Sequence, residues 1–132
     1  MGAVRGVSAP VQLGNEVLAA HGFREIAGKR VALITNPSGV NRNWESTIDI
    51  LRAASGVKLV ALFGPEHGVY DDVWASDKVD NQTDLRTGLP VHLLSGKMRK
   101  PTPEMLQGLD AVVYDLQDTG CCVHLHQHDG YG

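Results

Sequence analysis

The sequence predicts an α/β domain built on a mainly parallel sheet. Three observations carry that expectation. The runs Arg30-Val-Ala-Leu-Ile-Thr35, Lys58-Leu-Val-Ala-Leu-Phe63 and Asp110-Ala-Val-Val-Tyr-Asp115 are short and nearly all apolar, the pattern of strands covered on both faces. Segments with helical spacing alternate with these runs, which is the order of a βαβ fold. Each run then gives way to residues that turn a chain, such as Asn36-Pro37 and Gly64-Pro65.

Taken in order, residues 1–10 form a loose Gly, Ala, Ser and Pro start. Within 12–23, Leu13, Val17, Leu18 and either Ala20 or His21 fall at helical spacing, and Gly22 supplies the stop. Gly28-Lys29 turns into the first strand, and Asn36-Pro-Ser-Gly39 turns out of it. A helix is predicted from about Trp44 to Ala54, with Trp44, Ile48, Leu51 and Ala54 inward and Ser55-Gly56 ending it. After the second strand, Gly64-Pro-Glu-His-Gly68 breaks the chain sharply. Residues 69–88 are polar and irregular, and a loop of that length in a compact domain is usually functional or mobile. Pro90 to Leu94 reads as a short strand in which His92 is a packing or surface residue, and 95–100 as a basic loop. Thr102 as N-cap and Pro103 at the first helical position open a helix that closes at Gly108.

Composition narrows the function. The chain has 132 residues, 42% hydrophobic and 20% charged, the size of one domain with a real core. Its net charge is −3 without a block of like charge, and aromatics are 5%, so no nucleic-acid partner is expected. The two cysteines, Cys121 and Cys122, are adjacent and staple no loop. No apolar run is long enough to span a membrane, and no apolar segment follows Arg5 to make a signal peptide. Neither a dinucleotide fingerprint nor a P-loop follows a strand, and no cofactor is expected. His124, His126 and His128 alternate beside the cysteines, but they lack surrounding architecture and are not read as a metal site.

Ligands of parallel α/β sheets gather at the carboxyl ends of the strands. Those ends carry Asn36, then Glu66 and His67, then Asp115, Gln117 and Asp118. Asn36 reads either as a turn residue or as a ligand contact, and Asp115 and Asp118 either as loop formers or as chemical groups. Glu66 follows an apolar strand, between Pro65 and His67, with a glycine on each side. Pro65 supplies no N–H to stabilise a carboxylate, and desolvation beside Phe63 would raise the Glu66 pKa, as a general acid requires. The competing reading is a helix-terminal Glu without a chemical task.

The motifs Val31-Ala-Leu-Ile-Thr-Asn36-Pro-Ser-Gly39, Ser46-Thr-Ile-Asp49, Leu62-Phe-Gly-Pro-Glu-His-Gly68, Thr87-Gly-Leu-Pro-Val91, Arg99-Lys-Pro-Thr102 and Tyr114-Asp-Leu-Gln-Asp-Thr-Gly120 resemble the DUF1343 family, whose members include exo-β-N-acetylmuramidases of the NamZ type. The likeness runs from about Gln12 to Gly120. It implies a Rossmann-like N-terminal domain and a cleft shared with a C-terminal domain that this chain lacks. The implied activity is removal of terminal non-reducing N-acetylmuramic acid from peptidoglycan fragments, with a cell-envelope or periplasmic setting. The family's catalytic glutamate falls on Glu66. Asp115 or Asp118 is then the second carboxylate, a water-orienting group or a sugar contact, unless the substrate's own acetamido group takes the second role. Asn36 and His67 are implied to line the cleft. Arg99 and Lys100 are implied either to meet the lactyl carboxylate or to form a solvated face. A non-catalytic small-ligand-binding α/β domain is the alternative.

From Cys121 onward the chain departs from the family's pattern. Codons for Val123 to His128 read one base later can spell Tyr-Thr-Tyr-Ile-Ser, so a shifted reading frame would account for a domain at 1–120 followed by an aberrant tail at 121–132.

Overall fold

The computed structural model describes residues 9–65, 67–71 and 82–117. Within them, the order is α1 (Gly14–Ala20), β1 (Arg30–Thr35), α2 (Thr47–Ala53), β2 (Lys58–Pro65), β3 (Gln82–Thr83), β4 (Pro90–Leu94), α3 (Pro103–Leu106) and β5 (Ala111–Asp115). The sheet runs β3-β4-β2-β1-β5. β4, β2, β1 and β5 are parallel, and β3 pairs antiparallel with β4. This is the mostly parallel, Rossmann-like three-layer α/β architecture that the apolar runs imply.

Strand alternation divides the core into two layers. Val31 and Leu33 of β1 face α1 and α2 and meet Ile48, Leu51 and Leu62. Ala32 faces the other way and joins Ala61 and Phe63, with Met105 and Leu109 packed on them from the α3 side. The pairing of Val31 with Leu59 but Ala32 with Ala61 leaves Val60 as an extra residue, a bulge in β2. Phe63, Leu33, Leu51 and Leu62 are fully buried. Each contributes roughly 2 kcal/mol by removing its side chain from water.

The structure corrects several sequence expectations. α2 begins at Thr47, not near Trp44, because Ser46 is its N-cap and accepts from the Asp49 N–H. Trp44 lies before the helix, in the left-handed region at φ 64, and is 84% exposed. Asn41 causes this. Its side-chain oxygen accepts from the N–H groups of Asn43 and Glu45 and coils the chain into a turn. α1 is shorter than 12–23, and turns fill 21–28. β5 is covered on one face only among the described residues: Val112 and Tyr114 are 43% and 68% exposed. β3 falls within the segment read as irregular. Residues 72–81 and the tail from 118 lie outside the described residues.

Candidate active site at the carboxyl ends of β1 and β2

Two turns build the site. β1 ends in Thr35, and the chain reverses through Asn36-Pro37-Ser38-Gly39. Asn36 Oδ1 accepts from the Ser38 N–H at 3.0 Å and from the Ser38 hydroxyl, so the side chain closes its own turn. Gly39 is needed there because a Cβ would sit 2.2 Å from Thr35 Oγ1 and 2.9 Å from the Asp115 carbonyl oxygen. β2 ends in Gly64-Pro65, and the Gly68 N–H donates back to the Pro65 carbonyl at 3.0 Å. Gly68 has φ 86, a conformation that favours glycine, and Val69 then re-enters the core.

These turns and the end of β4 enclose an open pocket of about 480 Å³, lined by Asn36, Ser38, Pro65, His67, Asp71 and Leu94 among others. A smaller recess of about 120 Å³ lies behind the first turn, between Asn36, Ser46, Val69 and Tyr70. Asn36 borders both. The far wall is tied down by a polar cluster. The Tyr70 hydroxyl donates to Asp84 at 2.9 Å, Arg86 donates to the same hydroxyl and to Asp49, and the guanidinium lies 5.0 Å from the Tyr70 ring centre. Burial disfavours the Asp84 carboxylate, but bonds from Thr87, the Arg86 N–H and Tyr70 outweigh it and hold its pKa below the ordinary value. Burial raises the Tyr70 phenol pKa.

A family sequence model, described as the N-terminal part of the exo-β-N-acetylmuramidase NamZ, matches residues 31–127. The chain belongs to the NamZ N-terminal family. It is 49% identical over 110 residues to the peptidoglycan β-N-acetylmuramidase NamZ of Bacillus subtilis, covering 83% of this chain and 27% of that protein. Two solved DUF1343 family proteins from Bacteroides fragilis share the fold, with TM-scores of 0.70 and 0.61 at 54% and 29% identity. They are matched over 83% and 85% of this chain, and over 27% of each solved chain. The chain thus spans about a quarter of the length of these relatives.

In this NamZ-type domain the residues singled out in the sequence fall in different places. Asn36 and His67 come together in the pocket; His67 is exposed and Asn36 half-buried. Glu66 and Asp118 lie outside the described residues, although both chain neighbours of Glu66 line the pocket. Asp115 reaches the sheet end but turns its carboxylate toward the helices. Its Oδ2 accepts from the Thr47 hydroxyl and, at 3.3 Å, from Asn15 Nδ2, while Asn15 also donates to Thr47 at 2.9 Å. These three side chains border a separate pocket of about 330 Å³ between α1 and β5. Arg99 and Lys100 are exposed in the loop before α3 and border none of these three pockets, and Arg99 donates to the Gly96 carbonyl. His92 packs on Phe63 with ring centres 4.9 Å apart, and burial lowers its pKa. Among the described residues no three His, Cys, Asp or Glu side chains cluster as a metal site, and no helix is long and apolar enough to cross a membrane.

Ser38, Asn15 and Thr47 were not legible as site residues. The spacing Asn36-x-Ser38 carries the signature of a side-chain-closed turn. Asn15 and Thr47 carry no such signal, because their partner lies 100 and 68 residues away.

Proposed function

We propose that this chain supplies one wall of an exo-β-N-acetylmuramidase site, with Glu66 as the general acid. In this reading the substrate is a terminal non-reducing N-acetylmuramic acid of a peptidoglycan fragment. Glu66 protonates the glycosidic oxygen as the bond to the leaving sugar breaks. The observation that carries the reading is the pocket at the ends of β1 and β2, which Pro65 and His67 line together with Asn36. The family membership and the printed activity of the Bacillus subtilis relative support it. Asp115, engaged with Thr47 and Asn15, acts from behind by fixing the end of β5. The second chemical role then falls to another carboxylate or to the substrate's acetamido group. Arg99 and Lys100 form a solvated face. In this reading the other wall of the cleft comes from a C-terminal domain, which would help exclude water and fix the sugar.

A chromogenic β-glycoside of N-acetylmuramic acid tests this. Glu66→Gln, made at the matching position of a full-length relative, is expected to abolish hydrolysis and to spare binding. Hydrolysis retained in that variant refutes the assignment.

A further inference from the structure

The hydrogen bonds of Asn36 fix which of its two polar ends a ligand meets. The Ser38 N–H is a donor and can bond only to an acceptor, so the atom facing it is the amide oxygen and the orientation is unambiguous. The Ser38 hydroxyl donates to the same oxygen and itself accepts from the Gln117 N–H at 3.0 Å. Both lone pairs of Oδ1 are therefore committed to the turn, and the turn is latched to the residues after β5. Asn36 Nδ2 has no protein partner among the described residues and is not among the buried unsatisfied polar atoms, so it is open to solvent on a residue that borders both the pocket and the recess.

Resting on the proposed function, we infer that Asn36 is a specificity residue presenting hydrogen-bond donors only, and that it receives an acceptor oxygen of the bound sugar. A sugar hydroxyl acting as donor gains nothing there. An N-acetylmuramic acid offers two strong acceptors of the right kind, the acetamido carbonyl and the lactyl carboxylate. Ser38 is a positioning residue: it holds the amide with Nδ2 outward and touches no ligand in this role. The exposed pair Arg99 and Lys100 is then not needed to recognise the sugar's acceptor groups.

Asn36→Asp is the decisive substitution. Its oxygen still closes the turn onto Ser38, so the melting temperature stays near that of the parent, but the outward donor becomes an anionic acceptor. Calorimetric titration of the 132-residue chain uses three probes: N-acetylmuramic acid, N-acetylglucosamine and muramic acid without the acetyl group. Asn36→Asp is expected to weaken N-acetylmuramic acid binding at least about tenfold, and Ser38→Ala about fivefold. If the acetamido carbonyl is the partner, the Asn36→Asp variant loses affinity for N-acetylglucosamine and keeps it for muramic acid; if the carboxylate is, the pattern reverses. Equal affinity of parent and Asn36→Asp for N-acetylmuramic acid overturns the inference and leaves the proposed function standing. Failure of the parent chain to bind any of the three overturns the inference, whereas the proposed function is decided by Glu66→Gln in a full-length relative.

Discussion

Gly64 offers the sharpest test of how the site loop is built. A Cβ there would lie 2.6 Å from both the Gly68 carbonyl carbon and the Val69 nitrogen, and 2.7 Å from Gly68 Cα. These are backbone atoms, so no flexible side chain can yield, and the overlap with ordinary contact is about 0.8 Å. Gly64 does not have a positive φ, so alanine meets no backbone strain of its own. Two terms therefore compete. Replacing glycine restricts the unfolded chain and favours folding by about 0.4–1 kcal/mol. Forcing the return of the chain at Gly68 away from β2 costs about 3 kcal/mol, the upper part of the overpacking range. The net expectation for Gly64→Ala is a loss of about 2 kcal/mol and a Tm lower by roughly 6–12 °C. Gly14→Ala is the control: nothing lies within 4 Å of its Cβ, it sits in α1, and a gain of about 0.5 kcal/mol is expected. Urea unfolding followed by circular dichroism measures both. The reasoning is refuted if Gly64→Ala stays within about 0.5 kcal/mol of the parent, or if both variants move the same way.

Thr47→Val removes the hydroxyl that donates to Asp115 and accepts from Asn15, and should cost about 2 kcal/mol in urea unfolding. An unchanged midpoint would show that the three side chains do not brace the end of β5. Trp44→Gly relieves a left-handed residue outside the helix and should leave stability unchanged or raise it by up to about 1 kcal/mol, whereas a helix starting at Trp44 would lose about that much. The Arg42 guanidinium, with help from the Leu13 N–H, lowers the Glu16 pKa from 4.5 to about 2. A folded pKa below the unfolded one gives stability that is present above about pH 4.5 and lost as pH falls through about 2. Glu16→Gln should therefore flatten the fall in stability across that window, and an unaltered acid profile argues against the ion pair.

What was legible in the sequence followed from local chemistry. The apolar runs locate β1, β2 and β5, Thr102-Pro103 opens α3, and the glycines bracketing 65–67 announce a tight reversal. Trp44 misled because apolar spacing extends the helix backward, while Asn41 folds the preceding residues onto its own side chain. β3 has two residues, too few to show alternation, and only pairing with Val91 and Pro90 defines it. At the site, the rule that ligands gather at strand ends directs attention to Asn36 and His67, and both line one pocket. It did not tell which face the Asp115 carboxylate would take. That depends on Val113 and Ala111 belonging to the helix-covered face, a register set across the sheet by β1.

The position of β1 has a consequence for the order in which the protein is made. Among the described elements β1 is the second, yet its outer neighbour β5 is the last, and Arg30 bonds to Asp110, 80 positions further along the sequence. Until residues 111–115 emerge from the ribosome, the most buried strand of the domain has one side open, with its amide groups unmatched. The open side of β1 is thus covered late, and a nascent chain halted before Ala111 would present that side to other chains.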